Sequence, residues 1–159
     1  MKPALDAVKE YLEAKQIRYE TSSSGSVRFS LLIPTPEVVE MPNRLVSCAI
    51  SIPGSDARTV QFSATVMAVE LSDRQLEPVG AFFMKYQSSN LRAGRILVHD
   101  DGAVFYCQTQ FLCAGGTMDG NAVAAMVTTA ILEISGIFMV KDELVTILPP
   151  MVVPRSGVA

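Results

Sequence analysis

The sequence predicts an α+β fold: an antiparallel sheet with helices packed on it, in the order α-β-β-β-α-β-β-α. Three features carry that reading. Runs of alternating and β-branched residues at 27–33, 44–52 and 58–71 are separated by proline- and glycine-bearing turns, as in an antiparallel meander. A second pair of runs, 95–99 and 103–113, meets at Asp100-Asp101-Gly102, and Asp-Gly between alternating apolar residues is a strong local hairpin signal. Finally, Gly115-Gly116 leads into a long helix ending near Val140. Between Gly102 and Val140 the only carboxylates are Asp119 and Glu133, with no Lys or Arg. A helix with one face in water normally carries charge there, so both sides of this one are expected to be covered.

In chain order, residues 3–16 place Leu5, Val8, Tyr11 and Leu12 on one face and most charges elsewhere, which is an amphipathic helix to lay on a sheet. Pro3 suits its first turn, where an N–H has no helical partner to lose. Residues 17–20 read as a short strand and 21–25 as a turn, ahead of the strand at 27–33. Pro34-Thr35-Pro36 and Pro42-Asn43 make a connector that no central strand tolerates. Pro53-Gly54-Ser55-Asp56 turns the next pair. In the strand at 58–71, Val60, Phe62, Ala64, Val66 and Ala68 share a face opposite Thr59, Gln61, Ser63, Thr65, Met67 and Val69.

Ser72-Asp73-Arg74-Gln75 has capping-box spacing, and Pro78 offers a competing helix start. From either, a helix runs to about Ser89 with Val79, Phe82, Phe83 and Tyr86 as a core-facing stripe. On the strand at 103–113, Phe105, Cys107, Thr109, Phe111 and Cys113 alternate with Val104, Tyr106, Gln108, Gln110 and Leu112. Thr117 or Asp119 then caps the last helix. At the helical repeat, Val123, Val127, Ala130, Ile131, Ile134, Ile137 and Phe138 form the stripe expected to cover the sheet. Opposite them lie Ala125, Thr128, Thr129, Leu132, Gly136 and Met139, small or apolar and uncharged. A second subunit is the expected cover for that face, with residues 142–154 as the alternative, since monomers avoid such patches.

At 159 residues one domain is expected, at 1–148, followed by an extended proline-bearing tail at 149–159. A net charge of −3 with scattered basic residues argues against nucleic-acid binding. Cys48, Cys107 and Cys113 are odd in number, which suits a reducing compartment, and the charged N-terminal helix lacks a signal-peptide core. The protein is expected in the cytoplasm. Residues 121–140 are long enough to span a bilayer, but Glu133 would cost about 3 kcal/mol or more in hydrocarbon, so no membrane partner is expected.

Catalytic chemistry is missing from these residues. His99 is the one histidine; beside Asp100 and Asp101 it belongs to a turn, and a metal would lack a separated third ligand. Cys107 has no basic neighbour in sequence to make it a thiolate. The glycine loop before the last helix has no phosphate-binding Lys, and Asp119 would repel an anion. No catalytic residue, metal or cofactor is expected. The alternative is a small-ligand protein or enzyme with a pocket near His99 and Asp119.

Residues 82–137 resemble the YbjN family and the wider type III secretion chaperone-like fold. The resemblance lies in a helix ending near Asn90, then Leu91-Arg92-Ala93-Gly94-Arg95-Ile96 entering a strand, the Asp100-Asp101-Gly102 turn, Gly115-Gly116-Thr117, and the closing long helix. The N-terminal helix and meander fit the same plan, so nearly the whole chain is covered. The resemblance implies a non-enzymatic, dimeric module, either regulatory or holding an unfolded segment of a partner protein on apolar strand and helix faces. It supplies no catalytic residues. The last strand and helix of this chain carry fewer charges than that family's usual look, which adds to the expectation of a covered helix in a homodimer that binds a protein or peptide.

Overall fold

The computed structural model describes residues 1–34, 44–54, 58–68 and 71–140. The expected tail, the rest of the connector after Pro34, and the alternative cover at 142–154 lie outside them. Among the described residues eleven elements run in order: β1 (Lys2–Pro3), α1 (Ala4–Ala14), β2 (Tyr19–Thr21), β3 (Val27–Ile33), β4 (Arg44–Ser51), β5 (Thr59–Ala68), α2 (Asp73–Asn90), β6 (Gly94–Val98), β7 (Ala103–Phe111), β8 (Thr117–Met118) and α3 (Gly120–Met139). Strands β2-β3-β4-β5-β7-β6 form one sheet in which every neighbouring pair is antiparallel. The predicted α+β architecture holds, with a short strand on the meander's edge and an additional β1–β8 ladder.

Alternation makes the sheet two-faced. Val27, Phe29, Leu31 and Ile33 on β3, Val46, Cys48 and Ile50 on β4, and Val60, Phe62 and Ala64 on β5 are buried on one side. Against that side lie α1, through Ala4, Ala7, Val8 and Leu12, and α3. Phe62 meets both Phe29 and Tyr106 edge-on, with ring centroids 6.2 Å apart in each pair. Each fully buried large side chain here contributes about 1.5–3 kcal/mol.

Both later helices start where local signals place them. Asp119, not Thr117, caps α3, its carboxylate accepting from the Ala122 N–H at 2.7 Å. The Ser72 capping box starts α2: the Ser72 N–H and hydroxyl both donate to Gln75 Oε1, at 3.1 and 2.9 Å. The competing start at Pro78 is not used, and that proline stands inside the helix. Gly102 turns the β6–β7 hairpin with φ +89°, donating to the His99 carbonyl at 2.8 Å.

Three local expectations are corrected. The register of β5 on β7 shifts between Thr65 and Met67, so Met67 stands opposite buried Val104 and is itself buried, not on the Thr59 face. The extra residue of a bulge moves the side chains beyond it to the other face. Strand β7 ends at Phe111, so Cys113 is not on it; Cys113 makes an isolated bridge to Thr117 as the chain turns back through Gly115 and Gly116, both at positive φ. On α3, Met126 is buried and Ile131 only partly so, because the buried arc is rotated toward the flank where α2 lies.

Candidate functional site

Glu133, the carboxylate that interrupts the apolar sequence of α3, is held by the chain itself. Its Oε1 accepts the N–H groups of Arg92 and Ala93 at 2.7 and 3.0 Å, and its Oε2 accepts that of Gly94 at 2.9 Å and the Tyr106 hydroxyl at 2.6 Å. Burial alone would push the carboxyl up, but these hydrogen bonds, Tyr106 first, outweigh it and hold the group below the usual carboxylate range. Burial, then Glu133, push the Tyr106 phenol far up. One hydroxyl proton cannot serve two acceptors, and the short contact to Glu133 takes it. The Gln108 Oε1, 3.2 Å from the same hydroxyl, is the longer and weaker of its two contacts. All donors are satisfied and the carboxylate is occupied, so the cluster is a clamp joining α3 to the α2–β6 connection rather than a reacting centre.

The clamp divides the expected interface face of α3. Thr129 and Gly136 lie on the half-buried flank, where a Cβ built on Gly136 would stand 3.0 Å from the Tyr86 hydroxyl of α2. Ala125, Thr128, Leu132 and Met139 face outward in the single chain, with Leu132 67% and Met139 55% exposed. None of these outward residues carries charge. By length and composition α3 could cross a bilayer, at mean hydropathy 1.9, yet it also supplies much of the core.

A second surface was not singled out by the sequence. No described helix covers the other side of the sheet, where a shallow cavity of ≈ 1300 Å³ is lined by Arg28, Leu32, Leu45, Ser47, Ser63 and Phe105 among others. Leu32 and Leu45 pair across β3 and β4, and both are exposed. Alternation announced that each strand had two sides, but which side the helices would choose depends on contacts far apart in sequence.

The remaining candidates are separate. His99 sits at the hairpin corner, exposed, with Nδ1 3.7 Å from Asp101 and its ring edge-on to Phe105. Asp119 is spent on its helix cap. Neither lines the cavity. Among the described residues no three His, Cys, Asp or Glu side chains group as metal ligands. The Cys48 thiol is pushed up to about 12 by burial, and burial also raises Cys107 above its ordinary value, against a hydrogen bond from Gln61 that lowers it.

No family model and no curated protein sequence matches this chain. Among solved structures it is similar to the crystal structure of YbjN from E. coli, whose suggested role is transcription regulation. The match has a TM-score of 0.58 and 18% identity, over 93% of this chain and 97% of that one. At this identity the likeness is one of architecture, and the chain has the YbjN-like fold.

Proposed function

We propose that the chain is a non-enzymatic, cytoplasmic homodimer that binds a protein or peptide partner, in a chaperone-like or regulatory role. The observation that carries this is the outward arc of α3, where Ala125, Thr128, Leu132 and Met139 present a continuous uncharged surface along a helix of 20 residues, about 30 Å long. Two copies can bring such arcs together without burying charge, and the small residues permit close approach of the helices. The expected regulatory work runs through protein contacts rather than nucleic acid, in keeping with a net charge of −3. No membrane contact is needed, because the apolar side of α3 is used in the core.

The enzyme or small-ligand alternative is the weaker reading: His99 and Asp119 are each committed to a turn or a cap, and neither lines the cavity on the sheet. Light scattering on a size-exclusion column tests the proposal. A dimer is expected at micromolar concentration, and Leu132→Arg, whose side chain already points outward, should yield a folded monomer. A wild-type protein that remains monomeric at these concentrations would remove the dimer from the reading.

A further inference from the structure

The side of the sheet that no described helix covers has a relief set by side-chain size. On the two central strands the outward residues are mostly small, with Ser47 and Ala49 on β4 and Ser63 and Thr65 on β5. The strands on either side carry Arg28 and Leu32 on β3 and Phe105 on β7. One cross-strand row runs Arg28–Ala49–Ser63–Cys107–Arg95, an arginine at each end and small side chains between. Strands about 4.8 Å apart set β3 and β7, three spacings from one another, about 14 Å apart. A helix with its side chains is about 10–12 Å across, so one helix fits over β4 and β5, with Arg28 and Arg95 on strands about 19 Å apart reaching toward its two flanks. An extended peptide would gain its hydrogen bonds at a sheet edge instead.

Charge narrows the occupant. Arg28 and Arg95 are exposed and form no ion pair with a described residue. Arg18 lines the same cavity, and the carboxylate on this side is Glu20, opposite Arg28 on β2. A second copy seated face to face would set arginines against arginines. A second copy's α3 offers no free carboxylate either, because its Glu133 is clamped internally.

We propose that this trough is the docking site for an amphipathic helix of a partner protein, seating a ridge of small and apolar side chains on β4 and β5 and setting carboxylates on its two flanks against Arg28 and Arg95. The proposal rests on reading the chain as a binding module, but not on the dimer.

The test uses the full chain and a fluorescein-labelled, hydrocarbon-stapled peptide of about 18 residues, spanning about 27 Å, with an Ala/Leu ridge flanked by glutamates. A counterpart carries lysines in place of the glutamates. Fluorescence anisotropy should show the acidic peptide binding at least about tenfold more tightly than the basic one, with the gap narrowing as salt rises. The double variant Arg28→Glu/Arg95→Glu should reverse the preference. Ser63→Trp, which fills the floor, should abolish binding while circular dichroism stays native, and Ala49→Glu should do the same if the tryptophan perturbs folding. Leu132→Arg should leave binding unchanged, which separates this site from the α3 arc even if the protein is a monomer.

Equal affinity for the two peptides, or no binding of the acidic one, would overturn the proposal. So would loss of binding in Leu132→Arg, or a change of oligomeric state in Ser63→Trp, which would make a second copy the occupant.

Discussion

Glu133 shows how much one side chain can decide. It is the single charge in α3, and four hydrogen-bond donors converge on it. Glu133→Gln should lower stability by about 1–2 kcal/mol in urea titration, a value discounted for the group's partial exposure. Its folded carboxyl is held below the unfolded one, so its contribution is fully present above the ordinary carboxylate range. As pH falls below that range the unfolded chain takes up the proton first, and the contribution is lost as pH passes through the depressed folded value. The acid limb of a stability-against-pH curve should therefore be shallower in Glu133→Gln. Gly94 matters for another reason: a Cβ there would lie 2.1 Å from Cε2 of Tyr106, a ring with no exposure. Gly94→Ala should cost about 2–3 kcal/mol or more, and in combination with Tyr106→Leu the two losses should sum to less than their separate values.

Helix α2 keeps Pro78 in its interior, five positions past Asp73, where the ring removes the N–H that the Arg74 carbonyl would accept. The proline is exposed, so Pro78→Ala should raise stability by about 1 kcal/mol or more, seen as a higher melting temperature. Elements such as this were legible because their signals are local. The Ser72–Gln75 box, the Asp101-Gly102 turn and the Asp119 cap each act within three or four residues. What escaped the sequence is what distant residues decide. The bulge between Thr65 and Met67 exists only against β7, β1 forms only against β8, and Glu133 finds its donors some 40 positions upstream. The uncharged face of α3 was legible from composition and the helical repeat. Its division was not, because Gly136 lies half-buried beside Tyr86 of α2, a helix whose placement no periodicity encodes.

At the scale of the molecule, α1 and α3 fill one sheet side and, among the described residues, the other carries a small-residue trough, so two unlike surfaces are offered for association. If the α3 arc holds two copies together, the melting temperature should rise with protein concentration, and Leu132→Arg should flatten that dependence. Such a shift reports linkage of folding to assembly, which a structural likeness at 18% identity does not supply. The β1–β8 ladder has a consequence for biosynthesis. Lys2 pairs with Met118, and the Ala4 N–H donates to the Gly116 carbonyl, so the strand that leads into α1 stays unpaired until more than a hundred further residues have been made. At about 5–20 residues per second the ribosome leaves α1 without its α3 neighbour for on the order of ten seconds. A nascent chain stalled before α3 would present the α3-facing side of that helix to the holdases that patrol the exit tunnel.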